Sequence, residues 1–340
     1  MAKVGIVTLN GYFNYGNRLQ NYALSKSIER MGHEVITIWD KDKKKIVKDF
    51  IKRQLIWIPR FRRYRNFIIF SRRFTREVLL SKKGKMDYIV IGSDQVWNPR
   101  YIKETPHLLY EPENGEVVIS YAASFGCPAL PLEEVKNYKD HFTKYKAISV
   151  REKAGLEILL KMGIDNAVSV IDPTLLLTRD EWDEIKVSPS TLKHEGKYIL
   201  KYFLGDISKE ENNAIVSFAH ENNVTVIDLG DQESEYFISG PSEFISLVEN
   251  AELICTDSFH ACVFSFIYDK SFVVFRRKGC SDYMYSRIES LLSIFHFFDR
   301  EFNGLSITRD NQLHDYTEAY KLLEKERKFG LDFLQKNIAE

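Results

Sequence analysis

Four polar segments hold the side chains most able to do chemistry, and each follows an apolar run that reads as a buried strand. The first is Asn10-Gly11-Tyr12-Phe13-Asn14-Tyr15-Gly16-Asn17, continued by Arg18 and Gln20. It leaves a strand and opens a helix, where backbone N–H groups and the helix dipole can hold an anion or sugar hydroxyls. It can equally be a plain polar turn. It is not GxGxxG, and no GxxxxGK(S/T) occurs, so both phosphate-binding fingerprints are missing. The second is Gly92-Ser93-Asp94-Gln95-Val96-Trp97-Asn98. A carboxylate beside an indole and two amides suits a sugar, with the ring stacked on the apolar face of a pyranose. Alternatively, Asp94 caps a turn. The third is Ser149-Val150-Arg151-Glu152, whose guanidinium offers a planar fork to carboxylate or phosphate, or pairs locally with Glu152.

The fourth segment is Thr256-Asp257-Ser258-Phe259-His260-Ala261. With Asp257 or Ser258 as N-cap, His260 falls in the first helical turn, where an anion is favoured. A lone histidine can also be purely structural. Arg276-Arg277 follow the next strand and share its sheet edge, so His260, Arg276 and Arg277 are expected in one patch. The eight histidines show no HxH or HExxH spacing, and no GxSxG elbow is present. We expect no metal site.

The elements that must position these residues alternate regularly. Val4–Leu9 reads as a strand, the Leu19–Met31 pattern as a helix stopped by Gly32, and Val35–Trp39 as the next strand. Further strands are expected at Tyr88–Gly92, Val117–Tyr121, Ala147–Val150 and Val168–Ile171, with a short helix at Leu156–Met162. After Asp172-Pro173-Thr174 the grammar restarts. Strands fall at Tyr198–Phe203, Val224–Ile227, Leu253–Thr256 and Phe272–Phe275. Helices fall at Asn212–Asn222, Pro241–Asn250, Ser258–Tyr268 and Tyr316–Ile338. This is an α/β chain with parallel sheets, read as two Rossmann-like domains facing across a cleft. We expect residues 1–174 as the N-terminal domain, carrying a basic aromatic insertion at 41–80, 175–315 as the C-terminal domain, and 316–340 as a closing helix.

A length of 340 residues fits two domains at roughly 100–200 residues each. No apolar run approaches the roughly 18 residues of a membrane span. Met1-Ala2-Lys3-Val4 enters a strand at once, so no signal peptide is expected. Four cysteines without a CxxC pair fit free thiols in a reducing cytoplasm. The net charge of zero conceals an asymmetry: Lys41 to Arg76 holds 14 Lys and Arg against Asp42 and Asp49. Phe50, Leu55, Ile56, Trp57, Phe61, Tyr64 and Phe67 interleave with these cations. Three readings stand: a solvated helical hairpin, an anionic membrane surface, or nucleic acid, for which no other motif speaks. Aromatics around Phe67–Phe74 could also make a dimer contact.

The sequence resembles the polysaccharide pyruvyl transferase family. Asn14-Tyr15-Gly16-Asn17-Arg18-Leu19-Gln20-Asn21-Tyr22-Ala23-Leu24, Ile91 to Asn98, Ile148 to Glu152, Asp172-Pro173-Thr174-Leu175-Leu176 and Thr256 to Ala261 carry the resemblance in the family's order. It implies a glycosyltransferase-B-like fold, with the acceptor on the N-terminal domain and the donor on the C-terminal one. It also implies transfer of pyruvate from phosphoenolpyruvate, as co-substrate with no other cofactor, onto a sugar of a cell-surface, capsular or exopolysaccharide precursor. The product is a ketal on a free or lipid-linked glycan. By the resemblance, Arg151 is a donor-binding residue, His260 the acid/base, and Arg276 or Arg277 a donor-site cation. Family members carry Arg two residues before that histidine; here Ser258 stands there, and Arg277 or Arg287 would supply the charge. Asp94, as a second catalytic candidate, and Asn14, Asn17, Gln20 and Trp97 are expected at the acceptor. The location implied is cytoplasmic, peripheral on an anionic inner membrane face through 41–76. The competing readings are a nucleotide-sugar glycosyltransferase, with Glu243 as ribose ligand, and a non-catalytic glycan-binding homologue.

Overall fold

The computed structural model describes residues 1–9, 11, 13–40, 57–194, 196–277, 285–307 and 315–338. Residues 41–56 of the basic segment, and Cys280, lie outside the described residues.

The first unit runs β1 (Lys3–Val7), α1 (Tyr15–Arg30), β2 (Glu34–Trp39), α2 (Pro59–Phe74), β3 (Glu77–Leu79), β4 (Tyr88–Ile91), α3 (Pro99–Glu104) and β5 (Val117–Ser120). Then come α4 (Leu132–Phe142), β6 (Ser149–Val150), α5 (Lys153–Lys161) and β7 (Val168–Ser169). The second unit runs α6 (Arg179–Asp183), β8 (Tyr198–Tyr202), α7 (Lys209–Glu221), β9 (Thr225–Asp228), α8 (Pro241–Glu249), β10 (Leu253–Thr256), α9 (Phe259–Ile267), β11 (Ser271–Val274) and α10 (Ser286–Ile294). The last helix is α11 (Thr317–Asn337).

The two larger sheets and the two-stranded β6–β7 sheet are all parallel. The first has strand order β3-β2-β1-β4-β5, and Val7 pairs with Ile38 on one side and Ile91 on the other. The second has order β11-β10-β8-β9. Strands covered on both faces read as continuous apolar runs, which is why Val4–Val7 and Ile89–Ile91 were legible. The expected strand at Ala147–Val150 is only two residues long, and Ala147 joins β5 through an isolated bridge at Ile119. This is the glycosyltransferase-B-like arrangement of two Rossmann-like units across a cleft.

One continuous core joins the units. Tyr15 at the start of α1 stacks on Phe244 of α8 at 4.4 Å and meets Tyr202 of β8 at 5.2 Å. Helix α11 crosses back over both. Its Arg327 donates to the Leu175 carbonyl (2.9 Å), and Phe333 packs near Tyr121. Gly330 permits that crossing, since a Cβ there would lie 2.4 Å from the Tyr121 hydroxyl.

Helix α2 contradicts part of the sequence reading. Tyr64, Phe67 and Phe70 are buried against the rest of the protein, so they offer no dimer or membrane contact. Arg63 is buried with them. Its Nη1 donates to the Leu229 carbonyl of the second unit (2.8 Å), and its guanidinium lies over Tyr15 (4.9 Å) and Phe237 (5.0 Å). Asn66 donates to the Ile238 carbonyl (2.8 Å). The inner face of α2 therefore clamps the two units together. Arg63→Ala should lower unfolding free energy by about 2–3 kcal/mol, because a buried, hydrogen-bonded cation and its ring stacking are lost. Arg62→Ala, one residue away and exposed, should cost about 0.5 kcal/mol or less. Urea melts of both variants check this, and equal shifts would contradict the clamp.

Candidate active site

In an open parallel sheet, ligands sit outside the carboxyl ends of the strands where the chain reverses its direction of build-up. Here those points are β1/β4 in the first sheet and β8/β10 in the second. The cleft between the units is lined from these four strand ends. Thr8, Gly11 and Asn14 follow β1, and Asp94 and Gln95 follow β4. Leu204 follows β8, and Asp257 and Ser258 follow β10. The cavity measures about 510 Å³.

Two helix N-termini converge in it. Asn14 caps α1 by accepting the Gly16 N–H (3.0 Å), and the Ser258 hydroxyl caps α9. His260, in the first turn of α9, lies directly on Gly16 of α1. A Cβ at Gly16 would sit 1.9 Å from its Nδ1. The imidazole is thus placed by both units at once, in a field that favours anions.

Beneath the imidazole lies a charge network. Asp172 is fully buried. Its Oδ1 accepts from the Thr174 N–H (3.0 Å) and hydroxyl (2.7 Å). Its Oδ2 accepts from Ser93 Oγ (2.9 Å) and Arg151 Nη1 (2.5 Å), and faces His260 Nε2 at 3.6 Å, too long for a hydrogen bond. Burial alone would raise the Asp172 carboxyl; His260, Arg151 and Thr174 outweigh it and hold it well below the usual range. Asp94 has a left-handed backbone (φ +75°), a conformation that costs a non-glycine residue energy and recurs at functional sites. Its carboxylate accepts from Asn17 Nδ2 and the Gln95 N–H, and lies 3.4 Å from Arg287 and 3.6 Å from Arg151. Burial raises this carboxyl too, but Arg151, Arg287 and His260 prevail and lower it. A carboxylate so stabilised is a poor proton acceptor and a good hydrogen-bond acceptor. Burial raises the neighbouring Glu152 carboxyl, whose Oε1 accepts from Ser124.

The sequence-derived residues divide. His260, Asp94, Asn14, Asn17, Ser258, Arg277 and Arg287 all line the cleft. Arg277 donates to Asp257 (2.7 Å), which also anchors the loop after β8. Four residues depart from expectation. Arg151 is buried under the Phe259 ring (4.6 Å) and reaches the site through Asp172 and Asp94, not directly. Arg276 turns outward to Glu301 and Glu289, because consecutive side chains of an extended segment alternate sides. Trp97 is fully buried against Phe142 (4.4 Å) and Phe125, so it is core and not a sugar platform. Gln20, fully buried, supports the loop by donating to Thr8 and to the Asn17 carbonyl.

The sequence reading missed Trp39 and Asp40 at the end of β2, and Tyr101, Thr105 and His107, which also line the cleft. His107 Nδ1 lies 3.7 Å from Asp40. The strand-end rule points to Asp40; no local pattern marks His107. Among the described residues, no group of three His, Cys, Asp or Glu is placed to hold a metal ion.

Asp172 sets an acid limb of stability. Its folded carboxyl titrates below its unfolded one, near 4, so its contribution is complete above pH ~4 and lost as pH falls toward the folded value. Asp172→Asn should lose about 3 kcal/mol at pH 7, since buried Arg151 loses its closest carboxylate and keeps only the longer contacts to Asp94 (3.6 Å) and Glu152 (4.0 Å). Below about pH 4 its stability should fall less steeply than that of the wild type. Melting curves from pH 3 to 7 measure both, and parallel acid limbs would refute the assignment.

The model of the family described as polysaccharide pyruvyl transferase matches residues 14–279, a stretch that includes every residue discussed above from Asn14 to Arg277. No curated protein matches the sequence. Among solved structures, the chain is similar to a Staphylococcus aureus MnaA–UDP co-structure (13% identity, 97% of this chain and 90% of that one, TM-score 0.49). It is similar to a UDP-N-acetylglucosamine 2-epimerase from Rickettsia bellii (12%, 99% and 99%, TM-score 0.49). It is also similar to an α-glucosyltransferase in complex with UDP and a 13-mer DNA (9%, 100% and 100%, TM-score 0.48). The match across most of the chain shows that this protein belongs to the polysaccharide pyruvyl transferase family and is a transferase.

Proposed function

We propose that the protein moves pyruvate from phosphoenolpyruvate onto two neighbouring hydroxyls of a sugar in a cell-surface polysaccharide precursor, in the cytoplasm. The observation that carries this reading is the placement of His260 between two helix N-termini, over Asp172, in a cleft of the matched family.

The atoms balance as follows. A proton adds to the methylene carbon of phosphoenolpyruvate, making it a methyl group and the neighbouring carbon electrophilic. One sugar hydroxyl oxygen bonds to that carbon and loses its proton. The carbon–oxygen bond to phosphate breaks, the second hydroxyl oxygen bonds in its place, and its proton leaves with the phosphate. His260 is the general acid and recovers a proton from the attacking hydroxyl. The donor carries a phosphate and a carboxylate. Arg277 and Arg287 line the cleft to meet them, together with the first-turn N–H groups of α1 and α9. Arg151 acts from behind, by holding Asp172 and Asp94. Asp94 and Asn17, already bonded to each other, accept and donate to sugar hydroxyls.

For the nucleotide-sugar alternative, Glu243 gives no support. Its carboxylate accepts the Gly240 N–H (3.1 Å) at the start of α8, and it is not among the cleft-lining residues.

Calorimetry with phosphoenolpyruvate, UDP and UDP-sugars separates the readings. Saturable binding of phosphoenolpyruvate is expected, weakened in Arg287→Ala. In a transfer assay, His260→Ala should lose about 10²–10⁴-fold in turnover with its melting temperature kept. Gly16→Ala, which displaces the imidazole without removing it, should lose about 10²-fold. Binding of a UDP-sugar and not of phosphoenolpyruvate would overturn the proposal.

A further inference from the structure

Helix α2 has two unlike faces. Its inner face, with Arg63, Tyr64, Phe67, Phe70 and Ser71, is buried in the contact between the units. Its outer face is a single exposed line of Arg62, Arg65, Ile69 and Arg72, spaced by three or four residues as one helical stripe requires. Trp57, 73% exposed, stands just before the helix, and Ile69 within the stripe is 49% exposed.

Several features separate this stripe from an ordinary solvated face. The helix has six arginines and no acidic residue, so no internal i,i+4 pairs balance it. Among the described residues, no carboxylate pairs with Arg62, Arg65 or Arg72. Arg60, Arg62 and Arg63 crowd the first turns, where the helix dipole disfavours cations. At this end of the helix the charge is carried at a cost, whereas Arg72 and Arg73 in the last turn are favoured by the dipole; the unbalanced charge of the whole face points to an anion outside the chain. A large exposed indole and an aliphatic side chain among guanidiniums match an interface that is anionic above and apolar below. That is a phospholipid surface.

The stripe is also rigid and well placed. Arg63 and Asn66 pin the inner face to the Leu229 and Ile238 carbonyls. Arg60 lies over the Phe13 ring at 5.2 Å, in the loop whose Gly11 and Asn14 line the cleft. We infer that the outer face of α2 is a docking surface for an anionic phospholipid bilayer, which holds the first-unit rim of the cleft beside the membrane. This goes beyond the transfer reaction and does not depend on the identity of the donor.

Co-sedimentation of the full chain with vesicles tests it without donor or acceptor. Binding is expected to vesicles of phosphatidylcholine with 30% phosphatidylglycerol, to weaken with salt, and to be absent on pure phosphatidylcholine. The triple variant Arg62→Glu, Arg65→Glu, Arg72→Glu should bind at least about 100-fold more weakly while melting like the wild type. Trp57→Ala, which keeps every charge, should weaken binding by several-fold, because the indole inserts. Undiminished binding of a folded triple variant would overturn the inference. So would no binding to anionic vesicles, or binding to an RNA or DNA oligonucleotide in their place.

Discussion

The buried carboxylate of Asp172 is the constraint on which the site depends. It sits in the connection between the two units and uses both oxygens: Thr174 and Ser93 fix it, Arg151 neutralises it, and His260 of the second unit faces it. An ion taken out of water is tolerated only when it is paired and fully hydrogen-bonded. Arg151 in turn reaches Asp94, and Asp94 reaches Arg287 and Asn17. Residues from α1, the segments after β4 and β6, α9 and α10 are therefore held in one mutually dependent set. Removing Asp172, Arg151 or Asp94 leaves a buried charge without its closest partner.

The close approach of α1 and α9 follows from the same arrangement. His260 can lie on Gly16 only because position 16 has no Cβ, and Gly16 is in place because Tyr15 is stacked on Phe244 across the unit boundary. The imidazole is consequently a reporter of how the units are docked. A change in their relative position would separate the histidine from the helix terminus beneath it. Helix α2 and helix α11 resist such a change from two directions, one through Arg63 and the other through Arg327.

Much of this was legible from residues alone, for a physical reason. Buried parallel strands are continuous apolar runs, and the polar segment after each run must lie at one edge of its sheet. That logic found the loops after β1, β4 and β10, and with them Asn14, Asn17, Asp94, Ser258 and His260. It failed where the direction of one side chain decided the outcome. Trp97 and Gln20 sit beside true cleft residues yet point into the core, and amphipathic side chains look alike in sequence whichever way they face. Arg276 and Arg277 are equivalent as letters, but an extended backbone sends them to opposite sides. Arg63 was counted among the cations of the basic segment, since nothing local announces that its partners are the distant Leu229 carbonyl and the Tyr15 and Phe237 rings.

Ser258 is where the chain departs from the pattern its resemblance implied, and the structure gives the exchange a physical meaning. Serine is a strong N-cap and arginine is not, so the α9 terminus gains order where a guanidinium would have added charge. The cations that do line the cleft are each held by a carboxylate, Arg277 by Asp257 and Arg287 by Asp94. An entering anion must share them with those acids. The first-turn N–H groups of α1 and α9 carry no such partner charge, and they lie on either side of His260. The cleft thus sets backbone dipoles, which do not reorganise when charge arrives, beside guanidiniums that are already held by carboxylates.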